Sequence, residues 1–186
     1  MKARLIAILA PVLSAGAMAA LGLSVVVDFS VRETATALSC DQVPGTAQAS
    51  EGDILLRYDA EPHPPYRTVP PTSGAHSLRV LATGVYREPL PEEAQVQVLA
   101  HGHVLVQYAA GSDVPALERI ARGHPRKVVI APYPVLRQGV ALTGWQRLQL
   151  LDDADPVAIE AFIAAVAGRY RHGWQSGATD CTSTAA

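Results

Sequence analysis

The stretch Val98-Leu-Ala-His-Gly-His-Val-Leu-Val-Gln-Tyr108 joins a strong strand signal to the only closely spaced histidine pair of the chain. Val104, Val106 and Tyr108 share one parity, and His103, Leu105 and Gln107 share the other. That is the period of a strand. By the same alternation Gln95–Leu99 reads as a preceding strand. Carried back without a break, the second parity takes in Gln97, Leu99 and His101, so His101 and His103 point the same way. Gly102 between them is a candidate bulge, which would break that parity.

The chain downstream of this stretch has clearer punctuation. Ser112 or Asp113 caps a short helix, with Pro115 in its first turn, Leu117, Ile120 and Ala121 inward, and Gly123 at its end. Lys127–Ala131 reads as a buried strand. Pro132-Tyr-Pro134 forces a turn, and Val140–Leu151 reads as one long strand. Asp155 caps a last helix with Pro156 at its first position. Ile159, Phe162, Ile163, Val166 and Tyr170 follow its helical spacing.

Upstream, Ile54–Tyr58 suits a strand. Glu61-Pro-His-Pro-Pro65 cannot be helical, because each proline removes a donor and restricts its predecessor. Pro70-Pro-Thr-Ser-Gly-Ala-His76 is a second rigid segment, suited to presenting His76 at a fixed place. Leu78–Val85 carries no clear period, and Pro89 and Pro91 break the chain again. The expected fold is α+β: a single mixed, largely antiparallel sheet with two or three helices.

The N-terminus places this domain. Lys2 and Arg4 precede Leu5–Val27, a run without a charged residue. As a helix the run is roughly 34 Å long, enough for a hydrocarbon core of about 30 Å. The basic flank keeps the N-terminus in the cytoplasm, so the domain lies outside a cell membrane crossed once. The alternative is a signal peptide cleaved near Ala19, which makes the protein secreted. The expected organisation is an anchor or signal at 1–27, a flexible polar tether at 28–52, the domain at 53–172 and a polar tail at 173–186.

The chain has 186 residues and a formal charge of −2. Setting aside Lys2 and Arg4 leaves 13 basic and 17 acidic residues, which is no electrostatic footprint for nucleic acid. Two function classes fit. The first is a binding or assembly module on the membrane that needs no catalytic residue and meets a membrane-protein partner. Trp145 and Arg147, on one face of Val140–Leu151, are its candidate recognition patch. The second is a transition-metal protein. His76, His101 and His103 supply three imidazoles for zinc or copper if the Pro-Pro loop folds over the strand, with Glu92 or Glu93 as a fourth group. No catalytic residue is assigned, since Ser73 lacks the Gly-x-Ser-x-Gly elbow of a nucleophile. His63 and His124 read as solvated.

Pro70-Pro-Thr-Ser-Gly-Ala-His76, Gly84-Val-Tyr86, Leu99-Ala-His-Gly102, Ala131-Pro-Tyr-Pro134 and Ala141-Leu-Thr-Gly-Trp145 occur in one order. This set resembles the bacterial domain-of-unknown-function family numbered 3105, over roughly Tyr58 to Cys181. The family pattern at the central stretch is similar to His-x-x-Glu-His-Gly. Here Gln97 stands for the first His and Ala100 for the Glu. The resemblance therefore implies a metal motif that this chain carries only in part.

Cys40 and Cys181 are the only cysteines. Outside the cytoplasm such a pair tends to oxidise, and a bridge from tether to tail is expected. An intermolecular bridge, a mixed disulfide and two free thiols stay open. The resemblance implies a different partner for Cys181, a Cys at the position of Thr83, which makes Cys40 a substitute.

Overall fold

The computed structural model describes residues 42–58 and 61–168, and the backbone of residues 170–171 and 174–175. Leu5–Val27, Cys40 and Cys181 lie outside the described residues. The anchor-or-signal reading and the disulfide lie there with them. Among the described residues no helix is long and apolar enough to cross a membrane.

The fold is α+β. In chain order the elements are β1 (Thr46–Ala47), β2 (Asp53–Leu55), β3 (Gly74–His76), β4 (Gly84–Val85), α1 (Glu92–Ala100), β5 (Val104–Tyr108), α2 (Val114–Gly123), β6 (Val128–Pro132), β7 (Val140–Gly144), β8 (Arg147–Leu151), α3 (Pro156–Val166), β9 (Tyr170–Arg171) and β10 (Trp174–Gln175). A mixed six-stranded sheet runs β1-β8-β7-β5-β6-β4. Pairs β1–β8, β8–β7 and β7–β5 are antiparallel, whereas β5–β6 and β6–β4 are parallel. The expectation of a single sheet needs correction, because β2–β3 and β9–β10 pair as separate two-stranded sheets.

The central stretch is a helix followed by a strand, which corrects the expected strand at Gln95–Leu99. Pro91 occupies the N-cap position of α1, and Glu92 and Glu93 fill its first turn. Carboxylates there suit the positive end of the helix dipole. Gly102, at φ 79°, ends the helix. Its N–H donates to the Leu99 carbonyl (2.8 Å), and the His103 N–H donates to Val98 (3.2 Å). This pair of hydrogen bonds is that of a left-handed helix stop, so Gly102 is the glycine just after the C-cap His101 and not a bulge. Gln95 to Ala100 are all buried. With every side covered, the Gln–Val alternation has no solvent face to report and imitates a strand.

The other helices follow their punctuation. Asp113 accepts from the Ala116 N–H (3.0 Å), and Asp155 accepts from Val157 (2.9 Å). The last helix stops at Val166, short of Tyr170, which falls in β9. α1 packs on β3 and β5, α2 on β6 and α3, and α3 on β7. Leu99, Leu105, Ile130, Leu142, Ile159 and Phe162 are fully buried between these elements.

Val140–Leu151 is a hairpin and not one strand. β7 and β8 pair Gly144 with Arg147 across a two-residue turn of Trp145 and Gln146, the latter at φ 56°. Gly144 is needed where α3 crosses: a Cβ there would sit 2.2 Å from Val166 Cγ1.

The folded part also begins earlier than Asp53. Val43 is 4% exposed and belongs to the core, and Thr46–Ala47 pair with Leu148 and Arg147 at the sheet edge. Gln48 N–H adds a bond to the Gln146 carbonyl (2.9 Å). A segment with one apolar anchor and main-chain pairing shows no periodic pattern, so the sequence reads it as tether.

Candidate functional site

The Pro-Pro segment turns inward. Thr72, Ser73, His76 and Ser77 are buried. The Thr72 carbonyl accepts from Gln146 N–H (2.9 Å), Ser73 Oγ from Glu51 N–H (3.0 Å), and the Ala75 carbonyl from the Tyr66 hydroxyl (2.6 Å). His76 is 1% exposed, with Nδ1 3.0 Å from the Gly74 carbonyl and Nε2 3.4 Å from Asp53 Oδ1. Trp145 meets its ring edge-on, with centroids 6.2 Å apart. Both imidazole nitrogens thus face acceptors of the segment's own surroundings, and the loop buttresses the β7–β8 turn instead of presenting a ligand.

His101 and His103 do come together. The helix stop at Gly102 brings their rings to 6.4 Å, with planes 14° apart. His101 Nε2 lies 2.9 Å from the Gln97 amide. Burial pushes His103 below the usual imidazole range, and the neighbouring His101 adds to this, against a hydrogen bond to the Arg126 backbone. His76 does not join this pair. Among the described residues no group of three or more His, Cys, Asp or Glu side chains is placed to hold a metal ion. Glu93, one of the two suggested fourth groups beside Glu92, pairs with His63 (3.2 Å). The structure thus brings His101 and His103 together and places His76 apart from them, because the loop that carries it packs against the β7–β8 turn.

Both residues of the expected recognition patch are buried. Trp145 is 7% exposed and Arg147 is 3% exposed. Arg147 donates to the Val43 carbonyl (2.9 Å) and so ties that early segment to the sheet. The turn at Trp145–Gln146 resets the strand parity that had placed both side chains outward. His63 and His124 are not simply solvated either, since His124 meets Glu160 at 2.6 Å.

Among the described residues, one concave site lies where the sequence shows no period. A cavity of about 400 Å³ opens between the segment Ser77–Leu81 and the start of α1, lined by Ser77, Arg79, Leu81, Tyr86, Leu90, Pro91, Glu93 and Ala94. Its walls are fixed by two main-chain bonds, Ser77 N–H to the Glu93 carbonyl (3.1 Å) and Tyr86 N–H to the Ile130 carbonyl (2.8 Å), and by one from Arg79 N–H to the Ser77 hydroxyl oxygen (3.0 Å). Leu78 and Val80 are 54% and 58% exposed on the same segment. The usable signal was a cluster of apolar residues around one arginine, Leu78-Arg79-Val80-Leu81, that fits neither a helix face nor a strand face and stands before two prolines.

The family model described as "Protein of unknown function (DUF3105)" matches residues 59–181. The chain belongs to this family. No curated protein and no solved structure matches it. The DUF3105 region contains the whole cleft and both histidine positions, whereas Val43 and β1 precede it.

One titration in this DUF3105 domain is tied to the cleft wall. His63 is raised above the usual imidazole range, first by its hydrogen bond to the Pro64 carbonyl and further by Glu93 and Glu92, against its burial. A raised value means that the charged ring is favoured by the fold. Its stabilisation is complete below the ordinary value of about 6.5 and is lost as pH rises through the higher folded value. Melting temperatures of the native chain and His63→Asn should differ most in acid and converge toward alkaline pH. A gap that does not change with pH excludes this role.

Proposed function

We propose that this protein is a membrane-tethered extracytoplasmic module that binds a ligand without transforming it, and that the Ser77–Ala94 cleft is its binding surface. The observation that carries the reading is the cleft itself. Leu81, Tyr86, Leu90, Pro91 and Ala94 give it apolar walls, and Ser77, Arg79 and Glu93 supply a few polar groups. Sites for small ligands have this composition, with volumes of roughly 300–1,000 Å³. The tether rests on Leu5–Val27, whose uncharged length suits a membrane crossing.

The test uses the full chain in phosphatidylcholine nanodiscs, with empty discs as reference, and the neutral dye N-phenyl-1-naphthylamine. Saturable fluorescence is expected at one dye per chain. Ala94→Trp, which fills the cleft, and Leu81→Gln, on its half-exposed wall, should each weaken dye binding by about tenfold without changing the circular dichroism spectrum. Dye binding that is indifferent to both substitutions rules out the cleft. Full-length chain recovered in the soluble fraction without detergent contradicts the tether.

A further inference from the structure

Resting on the cleft as the binding surface, we propose that its ligand is a free single-chain amphiphile with one anionic head group. The chain lies along Leu81, Tyr86, Leu90 and Ala94, and the head group sits at Arg79. Two charged residues belong to the lining, and their surroundings differ. Glu93 is already answered, since His63 Nε2 stands 3.2 Å from its carboxylate. It also sits in the first turn of α1, where the helix dipole offsets negative charge.

Arg79 is in the opposite position. It is exposed at the cleft, and among the described residues no carboxylate pairs with it. Its backbone is nevertheless fixed, by the bond from its N–H to Ser77 Oγ (3.0 Å). A guanidinium on a fixed stretch of backbone, with no carboxylate partner among the described residues, is the group best suited to a carboxylate or phosphate. Beside it the walls are hydrocarbon and ring, from Leu81, Tyr86, Leu90 and Ala94. An apolar channel with one unanswered cation at its edge is complementary to a chain with one anion at its end. The volume of about 400 Å³ lies near the lower limit for ligand cavities, which suits one chain and not the paired chains of a phospholipid.

The experiment is calorimetric titration of the full chain in phosphatidylcholine nanodiscs, with empty discs as blank. The probes are octanoate, octyl phosphate, octanol and octyltrimethylammonium. The two anions should bind about tenfold or more tighter than octanol, and the cation weakest of all. Arg79→Gln should abolish the anion preference, so that octanoate and octyl phosphate bind that variant no tighter than octanol does. Equal affinity for all four probes overturns the proposal, as does an anion preference that survives Arg79→Gln. Loss of the anion preference when phosphatidylglycerol is built into the disc, with octanol binding retained, identifies a bilayer head group as the occupant of Arg79 and also overturns it. If no octyl probe binds while the neutral dye still does, this ligand class is wrong and the cleft stands. If the dye fails as well, the cleft reading fails with it.

Discussion

Trp145→Ala should lower the unfolding free energy by about 3–5 kcal/mol, the usual cost of removing a large buried aromatic side chain. Trp145 is 7% exposed, meets the His76 ring edge-on and belongs to the hydrophobic core. The expectation distinguishes two roles for the same residue. A side chain at a recognition surface would leave stability almost unchanged and weaken a partner. A core side chain at the β7–β8 turn loosens the turn and the Pro70–Ser77 segment bonded to it through Thr72. Chemical denaturation of the native chain and the variant decides between them. A loss below about 0.5 kcal/mol, the usual effect of a surface substitution, removes Trp145 from the core.

Gly139→Ala should cost about 2–5 kcal/mol, from a left-handed conformation and a steric clash together. Gly139 has φ +72°, and a Cβ built there lies 2.0 Å from the Leu151 carbonyl oxygen and 2.8 Å from the carbonyl of Asp152. Neither obstacle is a side chain that can rotate away. The Gly139 carbonyl also accepts from Ala109 N–H (3.0 Å), so a shift at this point disturbs the end of β5. Gly111→Ala is the matched control. Gly111 has φ +87° and nothing within 4 Å of a built Cβ, so it carries the conformational cost alone, about 1–2 kcal/mol. Equal losses in the two variants would show that the close carbonyls contribute nothing.

What the sequence discloses depends on whether an element carries a local signal that burial does not erase. α2 and α3 were legible from Asp113, Pro115, Asp155 and Pro156, because capping is local chemistry with few alternatives. β5 and β6 were legible from their apolar runs. α1 was not, since burial of Gln95 to Ala100 erases the amphipathic contrast on which a helix is recognised. Its boundaries, Pro91 and Gly102, were present and were given the meanings they have beside a strand.

The hairpin turn was hidden for a similar local reason. Trp145 and Gln146 carry none of the glycine or asparagine chemistry that usually marks a two-residue turn. Overlooking the turn moved Trp145 and Arg147 from the interior to an imagined surface. The candidate site followed the same rule in reverse. Histidines and prolines drew notice because they are chemically distinctive, yet His76 is occupied in holding the loop. The cleft is built from Leu81, Tyr86 and Leu90, which are ordinary in any single-residue reading and become a site only through their arrangement around the start of α1.

The bond from Arg147 to the Val43 carbonyl also has a mechanical meaning. If Leu5–Val27 holds the protein to a membrane, any pull between membrane and domain enters the fold at Val43 to Ala47. That segment is fastened by one buried valine, one guanidinium and a two-residue pairing with β8. The load therefore arrives at an edge of the sheet, where contacts break in succession, and not across its middle, where many must break at once. Under tension the first few residues would peel away while β5, β6 and the cleft stay intact, lengthening the leash before the domain itself is at risk.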